Sequence, residues 1–168
     1  MIARKAHLLL CAALVGCRPG ADRTQVDDLS RRAEVNRAGE RIATHLRSGR
    51  AFACGTRSPG DSPDAVFPVT AGQCLSCLEV GGMLRQVARQ ARKAHSTTWV
   101  GVPPGDTAEV CSFLKREKVA LPVVLLPSRA YPDPEITSDL LYLRLDSAGA
   151  LAGVEAAHSG TELLKHVR

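Results

Sequence analysis

The chain has 168 residues, 45% of them apolar and 4% aromatic, and a formal net charge of +5. That length supports one domain, and the apolar share is that of a soluble globule whose core must be filled by Leu, Val and Ala. The charge is mild and spread along the chain, with no basic run interleaved with aromatics, so it gives no support to nucleic-acid binding.

The N-terminus has the pattern of a targeting segment. Arg4 and Lys5 precede a short apolar stretch, Leu8 to Val15, too short to span a bilayer. Residues 1–16 therefore read as a signal peptide. Leu14-Val15-Gly16-Cys17 closely resembles a bacterial lipobox. The resemblance implies cleavage after Gly16, diacylation of the Cys17 sulfur and acylation of its new amino group. Lipid would then anchor the mature chain, and more than one acyl chain makes such anchoring stable. An ordinary secretory signal is the alternative. By the same resemblance, Arg18 in place of Asp permits sorting to the outer membrane. Loss of Arg4 and Lys5 with the signal leaves a net charge of about +3.

Export sets the cysteine arithmetic. Of six cysteines, Cys11 goes with the signal and Cys17 becomes the anchor. Cys54, Cys74, Cys77 and Cys111 remain, and disulfides persist in an oxidising periplasm. Cys74 with Cys77 is the favoured pair, with Cys54 and Cys111 either paired to each other or free.

Residues 17–23 read as a lipidated polar tether and 24–63 as an N-terminal helix and loop. In the helix, Thr24 to Ser48, residues Val26, Leu29, Ala33, Ile42 and Leu46 fall on one face. Thr24 with Asp27 resembles a capping box, and Gly49 is a stop. The Arg-rich opposite face reads as a solvated spacer. Thr56 to Asp64 is a turn-rich loop. From there the elements alternate. Ala65 to Thr70 is a short buried strand, Leu78 to Ala94 an amphipathic helix, and Thr97 to Val102 a strand. Asp106 caps a helix through Lys118, with Val110, Phe113 and Leu114 facing inward. Val119 to Leu126 holds a strand, and Pro127 to Ser138 is a loop with three prolines. Leu140 to Leu145 and Ala150 to Ala156 form a hairpin around Asp146-Ser-Ala-Gly149, and Gly160 to Val167 is a last helix. The order predicts an α/β sandwich with a central mixed sheet.

Cys74-Leu75-Ser76-Cys77 lies between the first strand and its helix. This places Cys74 at a helix N-terminus, where unpaired N–H groups and the dipole favour a thiolate. Cys77 is within reach to close and reopen a disulfide, so strand–CxxC–helix reads as a redox site. Zinc would need a second ligand pair, and Cys54, Cys111, His95 and His158 are isolated. Glu79 reads as a favourable first-turn carboxylate. Cys111, on the apolar side of its helix, reads as a buried thiol, and His158 as a surface histidine.

Together with the element order, several segments resemble the thioredoxin superfamily, nearest to its TlpA-like and redoxin-like envelope proteins. They are Cys74-Leu-Ser-Cys77, Val100-Gly-Val102 followed by Asp106, Phe113-Leu-Lys-Arg-Glu117, Leu121-Pro-Val-Val124 and Leu143-Arg-Leu-Asp-Ser-Ala-Gly149. The resemblance covers residues 64–168. It implies a thioredoxin-like three-layer sandwich preceded by the N-terminal helix. It also implies a periplasm-facing, lipid-anchored thiol–disulfide oxidoreductase of the cell envelope. Such an enzyme acts on protein thiols or disulfides through Cys74 and Cys77. No cofactor is implied, because electrons pass by exchange. The competing reading is a non-catalytic, partner-binding lipoprotein with the CxxC as a structural staple.

The chain departs from that family in three places. Ala71-Gly72-Gln73 stands where an aromatic lead-in is usual. The family's cis-proline is expected near Leu140, where no proline occurs, and Pro122 reads as a trans proline at a strand start. The inner dipeptide is Leu75-Ser76. A weakened substrate clamp predicts slow general disulfide reduction.

Overall fold

The sheet is built outward from β1 (Ala65–Pro68), whose four residues are all buried. The computed structural model describes residues 23–56, 60, 62–76, 78–136 and 139–164. β1 runs parallel to β2 (Thr98–Val102), with Ala65 opposite Thr98 and Pro68 opposite Gly101. On its other edge it runs antiparallel to β4 (Leu140–Leu145), with Val66 opposite Leu143. β3 (Val123–Leu125) extends the parallel side, and β5 (Leu151–Ala157) pairs antiparallel with β4. The order is β3-β2-β1-β4-β5, a five-stranded mixed sheet. β1 and β2 read as continuous apolar runs because both of their faces are covered.

The period-2 alternation of the strands divides the core in two. On one face, Phe67, Val100, Val102 and Tyr142 meet Val80, Met83, Leu84 and Val87 of α3 (Leu78–Ala94). Val110, Phe113 and Leu114 of α4 (Thr107–Arg116) complete that side. On the other face, Val66, Trp99, Val124, Leu141 and Leu143 meet Val35, Ala38, Ile42 and Leu46 of α1 (Arg23–Ser48). The result is the expected three-layer α/β sandwich with a central mixed sheet.

α1 supplies a whole layer, so it is not the solvated spacer its arginines suggested. Its buried stripe also differs from the expected one. Ile42 and Leu46 are buried, but Leu29 is 61% exposed and Ala33 is exposed. The side chain of Val26 lies outside the described residues. Burial falls instead on Val35, Ala38, Ile42 and Ala43, at helical spacing. Small residues set that stripe because the helix lies close to β5. A Cβ at Gly39 would sit 3.0 Å from Leu151 Cδ2. Arg41 fastens the helix to the loop after β3, donating to Tyr131 O at 3.0 Å and to Glu34 Oε1 at 2.8 Å.

Other boundaries shift as well. β1 stops at Pro68, and β3 is three residues where a longer strand was expected. Beside β3, Leu125 N donates to Ala51 O and Ala53 N to Val123 O, so the chain leaving α1 covers this edge. The three-proline loop contains a 3-10 turn, Ser128–Ala130. The last helix, α5, spans Gly160–Leu163, and residues 165–167 of the expected helix lie outside the described residues.

Gly101 in β2 lies under Leu126, whose Cγ would be 3.0 Å from an added Cβ and which is itself fully buried. Gly101→Ala should therefore cost about 1–3 kcal/mol in unfolding free energy. Gly105→Ala, with nothing within 4 Å of the new atom, serves as the near-neutral control in the same denaturant titration.

Candidate redox site

The CxxC segment begins with a helix start that sequence patterning alone passed over. A short helix, α2 (Ala71–Ser76), precedes α3. Thr70, expected as the last residue of a strand, is its cap. Gln73 N donates to Thr70 Oγ1 at 3.4 Å, and Thr70 N donates to Gln73 Oε1 at 3.0 Å. This is a reciprocal capping box, Thr-x-x-Gln, and it was legible in the sequence. Ala71-Gly72-Gln73 is thus a helix-starting device, in the place where the family has an aromatic lead-in.

Cys74 is consequently the fourth residue of α2 and not its first. It still lies in the first turn, where the dipole acts. However, several of the amides that could have faced a thiolate are already bonded. Ala71 N donates to Asp106 Oδ2 at 2.8 Å, which puts a carboxylate on the helix start. Asp106 was expected to cap α4. It does occupy the N-cap position of α4, at the end of a 3-10 turn (Pro104–Asp106), but its side chain makes no cap bond to that helix. Cys77 and the side chains of residues 74–79, including Glu79, lie outside the described residues.

Gln73 also reaches across to the sheet. Its Nε2 donates to Asp139 O at 3.2 Å. Asp139 immediately precedes β4, near the position where no proline was found. Its carboxylate is buried, with the residue only 4% exposed. Arg31 Nε donates to Oδ2 at 2.6 Å, and His158 Nδ1 lies 2.6 Å from Oδ1. His158 is exposed as expected, but it is held by this carboxylate. Pro122 lies elsewhere: its carbonyl accepts from Val100 N beside β2. Among the described residues there is no cis peptide bond.

Cys54 and Cys111 form a disulfide, with Cα atoms 5.2 Å apart. Cys111 is therefore not a free buried thiol. Cys54 sits in a turn after the edge segment, with a left-handed φ of 57° followed by Gly55 at 68°. That turn directs its side chain to α4. Closing a loop between residues 57 apart stabilises a fold by about 4 kcal/mol in the chain-entropy account. Among the described residues, no group of three or more His, Cys, Asp or Glu is placed to hold a metal ion, and no helix is long and apolar enough to cross a membrane.

No family model matches the sequence, and no curated protein matches it. Solved structures do. A secreted Mycobacterium tuberculosis disulfide oxidoreductase homologous to E. coli DsbE matches with a TM-score of 0.50 at 13% identity, over 73% of this chain and 96% of its own. The fold is thioredoxin-like. A thioredoxin family thiol:disulfide interchange protein from Chlorobium tepidum TLS matches at 20% identity and TM-score 0.43, over 61% and 75% of the two chains. A thio-disulfide isomerase from Thermus thermophilus matches at 16% and 0.43, over 70% and 89%. In this thioredoxin-like fold Cys74 lies in the helix that follows β1, and the start of that helix is bonded to Asp106 and to Asp139.

Asp106→Asn keeps an acceptor for Ala71 N and removes a negative charge from the start of α2. Cys74 should then lose its proton more readily. Its alkylation by iodoacetamide at neutral pH should quicken by about two- to fivefold, the range of a charge at a helix terminus. An unchanged rate would show that Asp106 has no electrostatic hold on Cys74.

Proposed function

We propose that the protein is a thiol–disulfide oxidoreductase acting through Cys74 and Cys77. The observation that carries this is the first cysteine of the Cys-x-x-Cys, Cys74, in the first turn of the helix that follows the central strand of a thioredoxin-like fold. Cys74, as thiolate, attacks a substrate disulfide. One Cys74–substrate S–S bond forms, the substrate S–S bond breaks, and one substrate thiolate leaves. Cys77 then attacks the mixed disulfide, forming Cys74–Cys77 and releasing the second substrate thiolate. The substrate gains two electrons and the pair loses two; run backwards, the same steps oxidise a dithiol. Cys54–Cys111 is the structural disulfide in this scheme. The secreted disulfide oxidoreductase that matches with a TM-score of 0.50 supports the reading through its fold.

Cys77→Ser should trap mixed disulfides through Cys74, because the resolving thiol is gone. Cys74→Ser should trap few. Equal trapping by both variants, or none by either, would overturn the assignment. The alternative, a partner-binding protein with the CxxC as a staple, is separated by titration against glutathione. A reversible couple more oxidising than about −300 mV supports exchange chemistry, since structural disulfides usually lie below that.

The site of action is the cell envelope, facing the periplasm, with the chain anchored through lipid on Cys17 and the outer membrane as the destination permitted by Arg18. Residues 1–22 lie outside the described residues, so the support is the sequence pattern of Arg4 to Cys17. Cys17→Ser should release the protein from membranes or block cleavage of the signal. Unchanged membrane association with normal processing in that variant would overturn the anchor.

A further inference from the structure

We infer that Asp139 is a positioning residue for Cys74, acting through Gln73. The inference rests on the proposed role of Cys74 for its functional meaning. Asp139 is held from three sides. Arg31 reaches its Oδ2 from α1, with Nε at 2.6 Å and Nη2 in closer contact. His158 Nδ1 meets Oδ1 at 2.6 Å, from the residue directly after β5. The backbone on its C-terminal side is held in the β4 ladder, where Leu140 pairs with Ala157.

A carboxylate buried to this degree persists only when its oxygens are met by charged or hydrogen-bonding partners. Here both oxygens are. The side chain thereby immobilises the residue, and its carbonyl oxygen is left aimed at α2. Gln73 Nε2 takes that carbonyl at 3.2 Å. The same Gln73 side chain uses Oε1 to cap Thr70 N. One amide thus joins the start of β4 to the start of the helix that carries Cys74, one residue further on.

The fold explains why the two meet. β1 and β4 are antiparallel neighbours, so the end of β1 and the beginning of β4 lie at the same end of the sheet. α2 follows the first, and Asp139 opens the second. A rigid link here sets the distance between the helix start and the start of β4. Arg31 extends the dependence to α1, which covers the opposite face of the sheet.

Two effects of Asp139 on Cys74 are separable. A direct Coulomb effect of its charge opposes the thiolate, so removing it would speed alkylation, independently of Gln73 and with sensitivity to salt. Positioning through Gln73 has the opposite sign: loosening the link moves Cys74 from its favourable first-turn place and slows alkylation. It also requires Gln73 to be present.

The test is a double-mutant cycle on the full-length protein. Cys77→Ser is the background, and modification of the Cys74 peptide by iodoacetamide is followed by mass spectrometry across pH. Asp139→Asn should slow alkylation at neutral pH by about threefold or more when Gln73 is present, the scale of coupling between contacting residues. In Gln73→Ala the same substitution should change the rate by less than about twofold. His158→Ala, at an exposed side chain, should give a smaller slowing with the same dependence on Gln73, and it tests the idea if Asp139→Asn does not fold. Equal effects in both Gln73 backgrounds, or faster alkylation on losing Asp139, would overturn the inference. Alkylation reads the thiol whether or not the protein exchanges disulfides. Failed mixed-disulfide trapping with intact coupling therefore counts against the proposed activity alone.

Discussion

A helix that starts where a buried strand stops must satisfy its first N–H groups with side chains, because its first four donors have no partner within the helix. α2 meets that requirement with residues from more than one element. Thr70 and Gln73 cap each other's amides, and Asp106 takes the amide of Ala71. Asp106 is there because the chain, after β2, turns at Pro103-Pro104 and enters α4 at the same end of the sheet. The place of the CxxC therefore depends on where the β2–α4 connection begins. A shift of α4 would carry the Asp106 carboxylate off the helix start and leave an amide unmet.

The disulfide bears on that same dependence. Cys111 lies in the second turn of α4, and Cys54 ends the segment that covers the β3 edge. The covalent link ties α4 to the sheet edge on one side, while Asp106 ties it to α2 on the other. On the opposite face α1 is held by polar contacts as well as by apolar packing. Glu34 is buried, and the hydrogen bond from Arg41, with help from Arg37, holds its carboxyl below the usual carboxylate range. That ion pair sits where Arg41 also meets Tyr131 O, so α1 is locked to the loop that leads on to Asp139.

Much of this was legible in the sequence, and the misses have definite causes. Alternating and continuous apolar runs marked β1, β2, β4 and β5, because burial writes itself into Val, Leu, Trp and Phe. α3 and α4 carried clear helical stripes. The pattern of α1 marks a helix but points to the wrong face, since Ala38, Gly39 and Ala43 bury small surfaces that carry little hydrophobic signal. Periodicity does not reveal α2, because a six-residue helix has too few positions for a period, although its capping box is present as Thr70-x-x-Gln73. Asp106 looked like a cap for the helix that follows it in sequence. Its actual partner is 35 residues earlier, and no local rule names such a partner. The pairing of Cys54 with Cys111 and the burial of Asp139 are likewise long-range facts, produced by strand order.

The electrostatics of the motif follow from this arrangement and not from the four residues of CxxC alone. A helix terminus favours an anion in its first turn by about 0.3–1 kcal/mol, an effect that falls off quickly along the helix. Cys74, as the fourth residue, receives the weaker part of it. Thr70 and Gln73 satisfy amides without adding charge, whereas Asp106 brings a negative charge to the same end and opposes a thiolate. The start of α2 therefore presents a dipole that favours an anion and a carboxylate that opposes one, each supplied by a different element. The dipeptide Leu75-Ser76 is only one contributor to that balance. A chain with the same CxxC and inner dipeptide, but with its helix beginning three residues later and no Asp at the α4 start, would set its first cysteine against more unpaired amides and no opposing charge.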